Sequence, residues 1–252
     1  MKNRLKAMLK EGKIAIGTTI TIGHPDVAEI IGLAGFDWVM LDTEHAPMNI
    51  PIIQNLLQVM SFSQTVPIIR IAWNDLVMAK QALDIGAYGL IVPWVNTKEE
   101  AMRAVQAVKY PPVGLRGFGP RRASLADPDY VKTANSEILL AVQIETQCAL
   151  DNIDDILSVE GIDAALIGPA DLSLSLGILF QYDNPKFVDA MQKVVDAAKR
   201  HGIIAGMLAT DDVKKRIQQG YKMINISGDL MLLKDAAKRI LDTANEARGT
   251  MR

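Results

Sequence analysis

The sequence alternates short apolar runs with longer segments of helical periodicity along its whole length, and this alternation restricts the fold more than any other feature. The apolar runs are rich in Val, Ile and Leu, as buried strands are. They lie at 14–21, 38–42, 66–71, 88–93, 138–145, 163–168, 203–208 and 222–227. Amphipathic helical segments lie between them, at 25–34, 50–61, 75–85, 97–109, 186–201 and 211–219. Strands that alternate with helices predict a parallel sheet built from βαβ units.

Eight such strands in a chain of 252 residues predict an α/β fold, a single-domain (β/α)₈ TIM barrel that spans 1–252. A doubly wound sheet is the alternative, but no glycine-rich dinucleotide-binding turn follows the first strand. The opening segment "MKNRLKAMLKEGK" predicts an additional amphipathic helix at the N-terminus. Polar residues at the starts of helical segments predict four N-caps, at Asn49, Asn74, Asn96 and Thr210.

Composition excludes several classes of function. The formal net charge is −2 without any basic block, and aromatic residues make up 5% of the chain, so nucleic acid is not an expected partner. The single Cys148 excludes an intrachain disulfide and a thiolate metal cluster. No apolar run reaches the roughly 18 residues of a membrane span, and the N-terminal segment does not resemble a signal peptide. A soluble cytoplasmic protein without a membrane partner is the expectation.

Polar residues concentrate at the carboxyl ends of the predicted strands, which is where the active sites of (β/α)₈ barrels lie. The motif "LDTEHAP" at 41–47 follows the second strand, and "GPADLS" at 168–173 follows the sixth. The residues expected to converge on one mouth of the barrel are Asp42, Glu44, His45, Arg70, Gln143, Glu145 and Asp171. Gln143 and Glu145 are two positions apart on one strand, so both project to the same side.

Each of these residues alone also has a structural explanation. A carboxylate in Asp171's position favours the helix dipole, and Arg70 is equally suited to an ion pair. His45 is divided between a structural hydrogen bond and proton transfer. Glu145 is harder to explain structurally, since a carboxylate at the end of an apolar strand must be paired, protonated or bound to a metal. The joint arrangement favours a catalytic site more than any single member does.

Absences narrow the chemistry. No lysine stands at the carboxyl end of a predicted strand, which disfavours a Schiff-base aldolase. Only three histidines exist, and His201 ends a helix on the opposite face, which disfavours a three-histidine zinc site. Glu145 and Asp171 instead suit Mg²⁺, Mn²⁺ or another hard divalent ion such as Co²⁺.

A metal held by these two carboxylates could bind the carboxylate and keto oxygens of a 2-oxo acid, and Arg70 would help to stabilise the negative charge on an enolate oxygen. Backbone N–H groups at Ala170 and Asp171 are placed to bind the substrate carboxylate. His45, directly or through a water, is placed to move a proton to or from the aldol hydroxyl.

These residues, in this order, resemble the HpcH/HpaI aldolase family of metal-dependent class II pyruvate aldolases. The resemblance covers 17–228, and the combination of D-x-E-H, Q-x-E-T and G-P-A-D-L-S is specific where any one of them is weak. The matching stretches are "GFDWVMLDTEHAP", "PIIRI", "ALDIGAYGLIVPWV", "YPPVGLRG", "AVQIET", "EGIDAALIGPADLSLSLG" and "HGIIAGM".

The resemblance implies a barrel of the phosphoenolpyruvate/pyruvate-domain type that reversibly cleaves a 4-hydroxy-2-oxo acid, or a 2-keto-3-deoxy sugar acid, to pyruvate and an aldehyde. Family members include the 4-hydroxy-2-oxoheptanedioate, 2-dehydro-3-deoxyglucarate and 2-keto-3-deoxy-L-rhamnonate aldolases. Glu145 and Asp171 match the family's metal ligands. Arg70 matches its enolate-stabilising arginine, and Gln143 matches the glutamine beside the pyruvate.

The resemblance also assigns the proton transfer to His45, with Asp42 beside it, and it pairs this histidine with Asp84. Asp84 lies near the end of the third helical segment, at the wrong face to reach His45 of its own barrel. The pairing is therefore expected across a subunit interface. The family is typically hexameric, as a trimer of dimers, with the C-terminal helix exchanged between subunits, and the helical tail at 230–248 suits that exchange.

The connection at 110–137, "YPPVGLRGFGPRRASLADPDYVKTANSE", is much longer than usual and is expected to be functional. In relatives the segment Arg116–Arg122 borders a neighbour's pocket. The stretch "GFGPRRASLADPDY" at 117–130 is shorter than in the heptanedioate and deoxyglucarate aldolases and has two arginines after the proline. Arg121 or Arg122 either binds a carboxylate or phosphate at the substrate's distal end or belongs to a solvated loop face.

Two rival functions stay open from the residues alone. A citramalyl- or malyl-CoA-type lyase, or an oxaloacetate decarboxylase, would use the same metal and enolate chemistry. A CoA lyase needs a basic groove for the nucleotide, and the sequence offers none. A non-catalytic barrel that binds 2-oxo acids is the rival of a different class.

Overall fold

Eight parallel strands close into a barrel in chain order in the computed structural model, which describes residues 2–208 and 212–250. The strands are β1 (Ala15–Ile20), β2 (Trp38–Asp42), β3 (Val66–Arg70), β4 (Gly89–Val92), β5 (Leu139–Ile144), β6 (Ala164–Ile167), β7 (Ile204–Met207) and β8 (Met223–Gly228). Each lies within two residues of a predicted strand. The predicted (β/α)₈ barrel is therefore confirmed.

Helices follow the strands on the outside of the barrel. In the described residues they are α1 (Arg4–Lys10), α2 (Pro25–Leu33), α3 (Ile50–Met60), α4 (Leu76–Asp84), α5 (Lys98–Val108), α6 (Ala123–Ala126), α7 (Tyr130–Glu137), α8 (Gln147–Asp151), α9 (Ile153–Leu157), α10 (Pro169–Ser175), α11 (Pro185–His201), α12 (Val213–Gln219) and α13 (Asp229–Thr250). Among these ranges, no helix combines the length and apolar character that a membrane crossing requires.

The predicted N-cap at Asn49 is confirmed, because its side chain accepts a hydrogen bond from the N–H of Ile52. The N-cap of α12 is Asp212, and the predicted cap at Thr210 lies outside the described residues.

Two other predicted N-caps are wrong by one residue. Asp75, not Asn74, caps α4, and Thr97, not Asn96, caps α5. The Asn74 side chain instead donates to the carbonyl of Glu100, which ties the starts of two helices together. Asn74 and Asp75 are equally good capping residues by type. Which of them caps the helix depends on Glu100, a residue distant in sequence that accepts the Asn74 side chain.

The barrel has two apolar layers that follow from strand alternation. One set of strand side chains packs inside the barrel, and the other set packs outward against the helices. The inner layer includes Ala15, Trp38, Met40, Val66, Ile68, Leu139, Ala141, Ala164, Leu166 and Met223. Two residues further along the strands, the same inward direction brings Asp42, Arg70 and Gln143 to the carboxyl end of the barrel. The barrel interior is thus apolar below and polar at this one mouth.

The long connection at 110–137 is folded. It contains α6 and α7, and it packs near the amino ends of the strands. Arg116 is fully buried within it, with its guanidinium over the ring of Tyr110 at 4.4 Å. The first part of this segment is therefore structural and lies at the face of the barrel opposite the polar mouth.

Candidate active site

Arg70 and Asp42 form a two-bond ion pair at the floor of the polar mouth. They lie side by side in the register of β3 and β2, with Arg70 Nε to Asp42 Oδ1 at 2.9 Å and Nη2 to Oδ2 at 2.7 Å. Burial alone would raise the pKa of the Asp42 carboxyl, but the hydrogen bonds and charge of Arg70 outweigh it and hold that pKa below its usual value. Asp42 is therefore an anion that fixes the guanidinium.

Asp42 also shapes the turn that follows β2. Its Oδ1 accepts hydrogen bonds from the N–H groups of Glu44, at 3.0 Å, and His45, at 3.4 Å. The turn brings Glu44 Oε2 to 3.2 Å from Arg70 Nε and 3.7 Å from His45 Nε2. The side chain of Glu44 is nearly buried, whereas that of His45 is 62% exposed. His45 thus lies at the rim of the mouth, and Glu44 lies inside it.

The carboxyl group of Glu44 is kept from ionising readily. Burial raises its pKa to about 7, the charge of Arg70 opposes the shift, and the charges of Asp42 and Asp171 add to it. Its Oε2 atom is buried without a hydrogen-bond partner among the described residues. Sequence reasoning placed Glu44 at this mouth as part of the D-x-E-H motif but assigned it no part in the reaction.

Glu145 follows β5 and is the most deeply buried carboxylate of the mouth, with 1% of its surface exposed. Its Oε1 accepts the backbone N–H of Trp94 at 2.8 Å, and its Oε2 accepts a hydrogen bond from Gln143 Nε2. Burial raises the pKa of Glu145 to about 7, and the charges of Glu44 and Asp171 contribute. The Oε1 atom of Gln143 is buried without a partner in the described ranges.

Asp171 stands in the first turn of α10 and shares a groove with Glu145. The groove has a volume of ≈400 Å³ and is also lined by Trp94 and Leu174. The N-cap of α10 is Gly168, so no side chain caps the first-turn N–H groups near Ala170. A Cβ at Gly168 would lie 2.7 Å from Glu145 Oε2. A side chain at this position would therefore displace the Glu145 carboxylate from its place beside the start of α10.

Apart from Asp84, the predicted site residues lie at this mouth, and none of them lines a larger cavity elsewhere. That cavity has a volume of ≈670 Å³ and lies around Tyr88 and Arg122, near the amino ends of β3 and β4. None of the polar residues at the strand ends lines it. The chemistry of the donor groups, not cavity size, identifies the candidate site.

The donor set of the mouth fits a divalent cation. Burial raises the pKa values of Glu44 and Glu145, and electrostatic repulsion from neighbouring carboxylates, including Asp171, adds to both shifts. A hard cation between such oxygens would relieve the repulsion. Within the described residues no group of three or more acidic, histidine or cysteine side chains has the geometry of a complete metal cage. A metal held by two carboxylates keeps positions for substrate oxygens and water.

Asp84 lies away from this mouth. At the end of α4, its Oδ1 accepts a hydrogen bond from Arg116 Nη2 at 2.7 Å. Arg116 also donates to the hydroxyl group of Tyr130. Within one chain, Asp84 is therefore the partner of a buried arginine, and the ionisable neighbour of His45 is Glu44.

The two arginines after Pro120 differ in their surroundings. Arg122 donates to the carbonyl oxygens of Ile85, at 2.9 Å, and Leu57, at 3.1 Å, which fixes the connection against α3 and α4. Arg121 is exposed. Of the two, Arg121 is the one whose guanidinium is open to an external anion.

The backbone of Trp94 was missed by sequence reasoning as a part of this site. Its N–H contacts Glu145 directly, and its ring lines the groove. The available signal was its position immediately after Pro93 at the end of β4, where the chain must turn at the barrel mouth.

Known proteins resemble this chain over nearly its whole length. The sequence profile described as HpcH/HpaI aldolase/citrate lyase matches residues 20–236. A 5-keto-4-deoxy-D-glucarate aldolase of Citrobacter koseri is 37% identical over 245 residues, 95% of each chain.

Two solved structures are also similar over almost their full lengths. An HpcH/HpaI aldolase/citrate lyase family protein from Burkholderia cenocepacia J2315 has a TM-score of 0.92 and 30% identity, covering 97% of this chain and 100% of that one. An HpcH/HpaI aldolase from Desulfitobacterium hafniense DCB-2 has a TM-score of 0.89 and 34% identity, covering 96% of each chain.

Proposed function

The chain belongs to the HpcH/HpaI aldolase/citrate lyase family, and from this premise we propose how its site carries out the reaction of a class II pyruvate aldolase. The protein is a carbon–carbon lyase of the aldehyde-lyase type. The CoA-lyase, decarboxylase and non-catalytic alternatives are not favoured, because relatives that match nearly the whole chain are aldolases. The barrel and its flanking helices act as one catalytic domain in this proposal.

The proposed substrate is a 4-hydroxy-2-oxo acid or a 2-keto-3-deoxy sugar acid, the class to which the 5-keto-4-deoxy-D-glucarate of the relatives' name belongs. In cleavage the C3–C4 bond breaks and the C4 hydroxyl loses its proton, which makes the aldehyde. The electron pair of the broken bond stays on the pyruvate fragment as an enolate. That enolate takes up a proton at C3 to become pyruvate.

A divalent metal is the proposed cofactor, held by Glu145 and Asp171. Mg²⁺ and Mn²⁺ suit two carboxylates best, and Co²⁺ is a further candidate. When bound, such an ion supplies positive charge to the oxygens of the 2-oxo acid and so favours the enolate. The observation that supports this site is the single mouth shared by Glu44, Glu145, Asp171 and Arg70.

Arg70 and Gln143 are proposed to bind the reacting oxygens. The guanidinium of Arg70 is held rigid by Asp42 and stabilises negative charge on the enolate oxygen. Gln143 lies beside Glu145 on the inward face of β5, next to the position of the pyruvate fragment. The backbone N–H groups at Ala170 and Asp171 bind the substrate carboxylate at the start of α10.

His45 is proposed to move the proton of the C4 hydroxyl, directly or through a water. Its exposed place at the rim suits a group that contacts the part of the substrate that leaves as aldehyde. Asp84 would orient His45 from a neighbouring subunit, since within its own chain it lies against Arg116. This pairing requires a homo-oligomer.

A hexamer, arranged as a trimer of dimers, is the proposed assembly. The C-terminal helix α13 exposes large apolar side chains that a lone barrel leaves in water. These are Leu230, Met231, Leu232, Leu233, Ile240 and Leu241. Exchange of α13 between subunits would bury them.

One experiment tests the function directly. Protein stripped with EDTA is given C6 and C7 hydroxy-oxo acids with Mg²⁺, Mn²⁺ or Co²⁺ in turn, and released pyruvate is measured. Cleavage is expected only with a metal, and Glu145→Gln and Asp171→Asn are expected to abolish it without loss of fold. Full activity of the stripped protein would contradict the proposal.

A further inference from the structure

Trp94 has a backbone conformation that a bulky residue rarely adopts. Its φ is 55°, in the left-handed region that favours glycine. The residue is 42% exposed, whereas its neighbours Pro93 and Val95 are both buried. An exposed tryptophan gains little by burial in return for a strained backbone, so the conformation must be imposed by its surroundings.

The surroundings fix the turn on its C-terminal side. The carbonyl of Trp94 accepts a hydrogen bond from Asn96 Nδ2 at 3.0 Å. Asn96 in turn accepts hydrogen bonds from Thr146 Oγ1 on its side chain and from Asn152 Nδ2, at 2.9 Å, on its carbonyl. The turn after β4 is thereby joined to the segment that follows β5, which carries Glu145.

The left-handed conformation directs the N–H of Trp94 at Glu145. This N–H lies 2.8 Å from Oε1, while Gln143 donates to Oε2. Because the chain after Trp94 is held in place, an ordinary negative φ would rotate the peptide before it and turn the N–H away. The strained residue therefore supplies a backbone donor to a buried carboxylate at the mouth.

We propose that Trp94 is a positioning residue for Glu145, acting through the backbone N–H that its left-handed conformation directs at the carboxylate. This inference rests on the proposed function in taking Glu145 as a metal ligand. A donor to one oxygen limits rotation of the carboxylate and leaves its remaining lone pairs facing the groove. The role belongs to the backbone, and the indole is not needed for it.

Three substitutions separate backbone from side chain. Trp94→Gly removes the indole but keeps the N–H and accepts a positive φ without strain. Trp94→Ala accepts it at some cost, and Trp94→Val strongly resists it because its side chain is β-branched. Mn²⁺ affinity, measured by electron paramagnetic resonance of the free ion, reads the effect without any turnover.

We expect Trp94→Gly to bind Mn²⁺ much as the wild type does, Trp94→Ala to bind less tightly, and Trp94→Val to lose about tenfold or more in affinity. Added Mn²⁺ should then restore cleavage by Trp94→Val, which a loss of fold would not allow. Trp73 supplies the matched control, because its ring lies 6.5 Å from that of Trp94 but its φ is not positive. Trp73→Gly and Trp73→Val should differ little in Mn²⁺ affinity.

Equal losses in Trp94→Gly and Trp94→Val would assign the effect to the indole and overturn the inference, as would unchanged affinity in all three variants. Wild-type protein that binds no metal would refute the proposed function instead. In that case hydrogen exchange of the Trp94 amide still decides the hydrogen bond. The amide should exchange slowly in the wild type and faster in Glu145→Ala, and fast exchange in both would overturn the positioning role.

Discussion

Arg70 and Asp42 are neighbours in register on two adjacent strands, and both oxygens of the carboxylate accept hydrogen bonds from the guanidinium, at 2.9 and 2.7 Å. A two-bond pair of this kind fixes the plane of the guanidinium as well as its position. The Nε and Nη2 groups of Arg70 donate to Asp42. The direction in which the remaining Nη1 group faces the mouth therefore depends on the register of the two strands. We therefore expect Asp42 to act on the proposed reaction through Arg70.

Replacing Asp42 by asparagine should weaken both the site and the fold. Asp42→Asn removes the negative charge and one of the two acceptors, and it leaves Arg70 buried with an incomplete partner. Breaking a buried pair from one side costs about 3–5 kcal/mol of unfolding free energy. Urea unfolding should show that loss, and kcat for pyruvate release should fall by about tenfold or more, since preorganised charge stabilisation is lost.

The exposed ion pair between Lys13 and Glu11 provides the control for the Asp42 experiment. Both side chains are more than half exposed, so Glu11→Gln should change the unfolding free energy by less than about 1 kcal/mol. A wild-type kcat in Asp42→Asn would contradict the role assigned to the pair.

A methyl group at Gly168 should disturb the site without unfolding the protein. In Gly168→Ala the new Cβ would lie 2.7 Å from Glu145 Oε2 and 3.2 Å from Gln143 Nε2. Both contacts are with groups that the site needs in place, so the carboxylate must shift. We expect metal affinity to fall by about tenfold or more by calorimetry, with a circular dichroism spectrum like the wild type. Gly249→Ala, where a Cβ meets open space, should leave metal affinity unchanged.

The fold follows from the sequence to a large extent because strand burial is written in local composition. Runs such as 66–71 are apolar at every position, which only a two-sided core satisfies. The local sequence determines the helix boundaries less strongly than it determines the strands. Asn74 and Asp75 are both good N-caps, and the choice of Asp75 depends on Glu100 accepting the side chain of Asn74.

The site residues at strand ends were also predictable, because parallel strands bring their carboxyl ends to one mouth. What could not be predicted is how neighbouring charges shift the pKa of each site residue. The high pKa of Glu44 depends first on burial, against the opposing charge of Arg70 on β3, and the charges of Asp42 in the same turn and Asp171 on α10 add to it. The N–H of Trp94 reaches Glu145 because Trp94 has a positive φ in a turn held by Asn96. No residue type predicts such an angle.

Metal affinity and stability should depend on pH in opposite directions around Glu145. Burial raises the pKa of this carboxyl to about 7, and a cation binds only its ionised form. Mn²⁺ affinity measured by calorimetry should therefore fall as pH is lowered through about 7. A pH-independent affinity would show that Glu145 does not ionise on binding.

The stability of metal-free protein should follow the reverse trend. Folding raises the pKa of this carboxyl, so its protonated form stabilises the fold. That contribution is complete at a pH below the pKa of the unfolded chain and is lost as the pH rises through the pKa of the folded protein. The melting temperature of stripped protein should thus fall between about pH 5 and pH 8, and Glu145→Gln should reduce the fall. Saturating Mg²⁺ should offset it in the wild type by binding the ionised carboxylate.

His45→Ala should slow aldol cleavage more than it slows enolisation of pyruvate. The side chain stands at the rim, 62% exposed, where the C4 hydroxyl of a bound substrate would lie, whereas enolisation involves only the pyruvate fragment deeper in the mouth. Loss of a positioned proton carrier typically costs about 10²–10⁴-fold in the step that it serves. Pyruvate release from a hydroxy-oxo acid should therefore drop steeply, while metal-dependent exchange of the pyruvate methyl protons with D₂O should change much less.

His201→Ala, which removes an imidazole bound to Asp154 on the other side of the barrel, should leave both rates unchanged. Equal losses of cleavage and exchange in His45→Ala would instead assign His45 to the enolate chemistry that Arg70 serves.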